Sequence, residues 1–180
     1  KDFLSWSEPA DMSFGEAPPE HLYTNQTHPY FRAPHLYVGI AARFMPGRQV
    51  LSDEQARAIN VDPGYFKDCS DNVLLTSRGG NHYDRTFMEA FVRPGIGPEN
   101  WTSRTNYPAL NVVPTGPSEM SLFVQHRYGQ PTHHLRRYTL RTDGFASVNA
   151  PYQGGELVTK PFRFTGTNLV INFATSAPGG

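Results

Sequence analysis

The residues of this sequence best suited to chemistry cluster in "THPYFRAPHLYVGIAARF", residues 27 to 44. Arg32 and His35 flank Pro34, whose fixed φ restricts the local backbone and so aims both side chains. Arginine offers a planar fork of donors for sugar hydroxyls or a carboxylate, and histidine exchanges a proton near neutral pH. Around them stand Tyr23, Tyr30, Phe31 and Tyr37, whose apolar ring faces can stack on sugar rings or simply fill a core. The alternative for Arg32 and His35 is structural: an ion pair with an Asp, and a strand cap. Two further residues stand at or near the head of a strand-like run, Asp71 in "CSDNVLL" and Glu119 before "MSLFVQHRY". Asp71 can orient Arg32 or close a turn, and Glu119 can point into a central pocket or lie solvated on the surface.

Other constellations are weaker. His21, His28 and His35 recur every seven residues, and His133 and His134 are adjacent. Neighbours on a strand point to opposite faces, so these histidines are not expected to converge on a metal. No nucleophile elbow, phosphate-cradling glycine loop or Cys-His arrangement is present, and no cofactor is expected.

The elements that must position these residues are mostly strands. Sixteen Gly, sixteen Pro and 13% aromatics suit an all-β chain rich in turns better than a helical bundle, because Pro removes a backbone donor and Gly weakens a helix. The runs "HLYVGIAARF", "NVLLTSR", "MEAFVRP", "MSLFVQHRY", "LRRYTLRT", "ELVTKPFRF" and "NLVINFAT" read as strands bounded by turn residues. One short helix is expected in "LSDEQARAI", residues 51 to 59, behind the N-cap residue Ser52.

The 16 basic and 16 acidic residues cancel. That balance points away from a nucleic-acid partner, and no basic run is present to dock on a membrane. No apolar run reaches the roughly 20 residues needed to span a bilayer. Cys69 stands alone, so neither an intrachain disulfide nor a multi-cysteine zinc site can form. The compartment stays open; a secreted or periplasmic location is compatible with the composition. Asn25 and Asn100 match the glycosylation sequon, a pattern short enough to arise by chance.

A turn of Asp or Gly followed by an aromatic and a new run recurs at Asp2, Gly79 and Asp143, 77 and then 64 residues apart. Such spacing suits propeller blades with long loops, the Asp accepting backbone N–H groups and the Gly taking a positive φ.

"KDFLSWSEP" and "TSRGGNHYDR" resemble the strand-turn-strand segments of five-bladed β-propeller glycosidases of glycoside hydrolase families 32 and 43. Nearly the whole chain is similar to a set of family 32-like bacterial proteins of planctomycete type, in which a β-sandwich follows the propeller. The resemblance implies an all-β fold with later blades of a five-bladed β-propeller over residues 1 to 150 and the start of a C-terminal β-sandwich over 151 to 180. It also implies that both ends are cut and that the partners are a carbohydrate substrate and missing parts of the same polypeptide.

The function implied is a glycoside hydrolase fragment using carboxylic acid/base chemistry. The alternatives are a non-catalytic carbohydrate-binding propeller or a purely structural all-β module. Glu119, Glu89 and Asp71 are the candidate catalytic residues, and Arg32, His35, Tyr30 and Tyr37 the candidate substrate-binding residues. Two departures bear on this. The family's N-terminal nucleophile motif is absent, and its Arg-Asp-Pro is replaced here by Arg32-Ala33-Pro34. Glu89 stands at about the family's spacing for the acid, whereas the position of Glu119 at a strand head favours that residue instead.

Overall fold

The computed structural model describes residues 2–110 and 112–175. The chain divides into two compact units, one ending at Phe145 and one beginning at Ala146.

The first unit is built on two antiparallel sheets. In the first sheet, β1 (His21–Asn25) and β2 (His28–Tyr30) form one interrupted edge along β3 (Ala33–Met45), with His21 opposite Phe44 and His28 opposite Val38. The Asn25 side chain causes the interruption locally, since its Oδ1 accepts the backbone N–H of Thr27 at 3.0 Å, a bond that competes with the ladder. After β3 the chain makes α1 (Asp53–Ala58). Ser52 and Gln55 form a reciprocal capping box at its start, and Ala56 packs with Val61 and Phe66. β4 (Cys69–Ser77) then returns along β3 in unbroken register, from Met45 opposite Cys69 to Tyr37 opposite Ser77.

The second sheet repeats the plan. β5 (Tyr107–Pro108) and β6 (Val113–Pro114) form the interrupted edge of β7 (Glu119–His126), and β8 (His134–Arg141) pairs with the other side of β7. The chain is thus all-β, with one short α-helix and a single turn of 3-10 helix at Pro98–Asn100 among the described residues.

Alternation along the long strands decides the layers. Val38 and Ile40 of β3 and Leu74 of β4 meet Met120, Leu122 and Val124 of β7 in one core between the sheets. The opposite face of the first sheet buries Ala41, Val73 and Leu75 beneath Phe14, Leu22 and Tyr83. The segment before β1 is held there by backbone bonds, Ser13 N–H to Asn81 O and Tyr83 N–H to Ser13 O, both 2.8 Å.

Gly79 and Asp143 hold equivalent turns. Each stands two residues beyond the last strand of its sheet, after Ser77 and Arg141, and each has positive φ, 104° and 63°. Asp2 does not belong to this pattern. It lies in a segment without strands, where its Oδ1 accepts the Leu4 N–H at 3.0 Å. A local turn of this kind looks the same in sequence whether or not a strand precedes it.

Three expected strands are absent from the described residues. "MEAFVRP" touches the edge of β4 only through an isolated bridge of Val92 to Asn72, and the run stays irregular. "ELVTKPFRF" and "NLVINFAT" lie in the second unit, whose described residues form no strand and leave Leu157, Phe164, Val170 and Phe173 exposed. An isolated pair of strands is marginal in water, so β-rich composition does not by itself close a ladder.

Candidate functional site

A cleft of about 340 Å³ opens at the end of the first sheet where Tyr37 faces Ser77. Tyr37, Leu36 and Phe145 form apolar walls, and Arg78, Asp84 and Asp143 supply charge. Each polar group is set by its turn. Ser77 Oγ donates to His82 O at 2.7 Å and accepts the Gly79 N–H at 3.1 Å, which folds the turn that carries Arg78. Asp84 is held beside Thr76 by reciprocal backbone bonds of 2.7 and 3.3 Å. Asp143 reaches the cleft from the equivalent turn after β8.

Tyr30 and Arg32 tie this corner together. The Tyr30 hydroxyl donates to Asp143 Oδ1 at 2.6 Å and accepts the Asp143 backbone N–H at 3.3 Å. Burial, followed by the hydrogen bond to the Asp143 carboxylate, pushes the phenol up to about 12. Arg32 pairs with the other Asp143 oxygen. Arg32 therefore takes the structural role of an ion pair with an Asp, and that Asp is Asp143 rather than Asp71.

The seven candidate residues do not converge. Tyr30 and Tyr37 line the cleft, Arg32 adjoins it through Asp143, and His35 is exposed on β3 and is not part of the lining. Glu119 lies in the second sheet, where its Oε1 accepts from Arg137 Nη2 at 2.5 Å and from Thr115 Oγ1 at 2.8 Å. Glu89 pairs with Arg93 four residues on, both largely exposed. Asp71 is buried and receives a two-pronged bond from Arg43, Nε to Oδ1 at 2.9 Å and Nη2 to Oδ2 at 2.7 Å. Arg43 and Arg85 also share Glu20. This network fastens the segment before β1 to the first sheet.

Arg78, Asp84 and Phe145 were not singled out by residue type or spacing. Arg78 and Asp84 do lie in "TSRGGNHYDR", and Asp143 stands in the recurring turn, so the signal was the repeat itself. Of the histidines, His28 is engaged by backbone at both nitrogens, with Nδ1 at 2.9 Å from Gln26 O and Nε2 accepting the Val112 N–H at 3.1 Å. No group of three or more His, Cys, Asp or Glu among the described residues is placed to hold a metal ion. No helix among them is long and apolar enough to cross a membrane.

No protein-family model, curated protein or solved structure matches this chain significantly.

Proposed function

We propose that this chain is a carbohydrate-binding β-module of propeller-blade type, with the ligand seated in the Tyr37 cleft. The observation that carries the reading is the make-up of that cleft. It combines an aromatic wall of Tyr37 and Phe145 with the hydrogen-bonding groups of Arg78, Asp84 and Asp143. Sugars present an apolar face and a rim of hydroxyls, and protein sites for them pair an aromatic face with a few fixed polar groups. The two repeated meanders are read as two blades of a five-bladed propeller.

Binding is preferred over hydrolysis because Glu119, Glu89 and Asp71 are each engaged by an arginine and none lines the cleft. One observation favours a glycoside hydrolase as the second reading: two carboxylates, Asp84 and Asp143, line the same cleft, and acid/base hydrolysis of a glycosidic bond needs such a pair.

Titration calorimetry of the full chain against a panel of neutral oligosaccharides tests both. Binding that weakens at least about tenfold in Tyr37→Ala, and is unchanged in Glu119→Gln, supports the cleft, since aromatic stacking is worth on the order of 1 kcal/mol or more. Hydrolysis of a bound sugar that disappears in Asp84→Asn while binding persists moves the conclusion to the enzyme. Absence of binding at millimolar sugar across the panel overturns both.

A further inference from the structure

At the opposite end of the sheets, where β4 begins and β7 ends, three loops are knitted by backbone bonds. Asp62 N–H donates to Gly129 O at 2.8 Å and Ser103 N–H to Tyr65 O at 2.9 Å. Gly129 has φ of +71°, and a Cβ there would stand 3.0 Å from the Tyr65 ring, so only glycine lets this loop close on the tyrosine. The result is a fixed frame of aromatic rings. Tyr65 and Tyr128 meet edge to face with centroids 5.1 Å apart, and Tyr23 and Tyr107 lie 5.4 Å apart.

Arg104 projects into this frame. Its guanidinium carbon stands 4.8 Å from the centre of the Tyr65 ring and 5.6 Å from that of Tyr128, within the range of cation–π attraction. Its Nη1 donates to the Tyr65 hydroxyl at 3.5 Å. Its backbone is held at φ of 56°, a conformation uncommon for a side chain of this kind. Among the described residues no carboxylate pairs with it, as with Arg48, Arg57, Arg78, Arg136, Arg141 and Arg163, whereas Arg32, Arg43, Arg85, Arg93, Arg127 and Arg137 each have one; what sets Arg104 apart is the pair of tyrosine rings that holds its guanidinium. Tyr23, whose ring lies against that of Tyr107, is 60% exposed, and the Tyr107 hydroxyl is buried without a hydrogen-bond partner.

We propose that Arg104 and the exposed Tyr23 ring form a second binding site, for a saccharide bearing a carboxylate, the guanidinium taking the carboxylate and the tyrosine the apolar face of the ring. A preorganised guanidinium lacking an acid partner presents the forked donors that match a planar oxyanion, and its orientation is already set by the two tyrosines. A point charge would not need that frame. The adjoining open aromatic face selects an anion carried on a ring over a free anion, because only the former gains stacking.

The site is independent of the Tyr37 cleft, and the test keeps them apart. The full chain is titrated with a uronic-acid oligosaccharide, with its neutral counterpart and with acetate, following the arginine side-chain and backbone amide signals by NMR. Expected is binding of the uronate at least about tenfold tighter than of either control, weakened by added salt. Arg104→Lys, which keeps the charge and loses the planar fork, and Tyr23→Ala, at an exposed position, should each reduce it about tenfold, while Tyr37→Ala leaves it unchanged. Amide spectra that stay native outside the three loops verify that both variants fold. Equal affinity for the uronate and the neutral sugar, acetate binding as tightly as the uronate, or uronate binding unchanged in both folded variants overturns the proposal.

Discussion

The hydroxyl of Tyr30 and the carboxylate of Asp143 join the two sheets through a single 2.6 Å hydrogen bond. Tyr30 ends β2 in the first sheet, and Asp143 stands in the turn after β8 in the second. The same hydroxyl accepts the Asp143 backbone N–H and lies 3.7 Å from the Met120 sulfur, so one buried phenol oxygen fixes the turn that lines the cleft. Tyr30→Phe keeps the packing and removes these bonds. Urea unfolding followed by tryptophan fluorescence should show a loss of about 1–2 kcal/mol, the range for a hydrogen bond to a charged acceptor. A loss below about 0.3 kcal/mol would mean that the bond does not hold the sheets together.

The buried ion network predicts a different signature. Asp71→Asn leaves the half-buried Arg43 without its two-pronged partner, and the expected cost is about 2–4 kcal/mol, because an uncompensated charge remains out of water. Glu20 adds a pH dependence. Burial alone would raise its carboxyl, but hydrogen bonds from Arg85 and Arg43 outweigh that and hold it below the ordinary carboxylate value. A carboxylate depressed in the folded state stabilises fully above its unfolded value, near 4.5, and that contribution disappears as pH falls through the folded value. Chemical denaturation from pH 6 to pH 3 should therefore be less steeply pH-dependent in Glu20→Gln than in the parent below about pH 4.5.

His126 acts in a higher window. It is buried at the end of β7, its Nε2 lies 2.9 Å from the Tyr138 hydroxyl, and its ring stacks on His134. Burial first, then Arg136 and His134, push the imidazole down to about 4. The folded protein keeps His126 neutral while the unfolded chain protonates it near its ordinary value of 6.5. Stability should thus fall as pH drops from about 6.5 to about 4 and then level off. The loss is on the order of 3 kcal/mol at most, because each tenfold difference in proton affinity between folded and unfolded chain is worth about 1.4 kcal/mol. His126→Gln should remove most of that slope, and an unchanged slope would assign the dependence to other groups.

Much of the scaffold was legible from local pattern. The runs of β3, β4, β7 and β8 alternate or concentrate apolar residues over lengths that only a strand uses well, and Ser52 with Gln55 announces α1 by a bond within a few residues. The turns at Gly79 and Asp143 were legible for the same reason, since a positive φ in a turn favours Gly and Asp by local backbone sterics and hydrogen bonding. The partners of charged side chains were not. Arg32 reaches Asp143 across 111 positions and Arg85 reaches Glu20 across 65, and nothing along the chain distinguishes those acids from Glu89 or Glu119. Tertiary packing alone decided that Asp71 is buried against Arg43, that Glu119 is held by Arg137, and that Arg78, Asp84 and Asp143 share a cleft. Backbone conformation depends on neighbours in sequence, whereas the environment of a charge depends on which distant turns the closed sheets bring to the same corner.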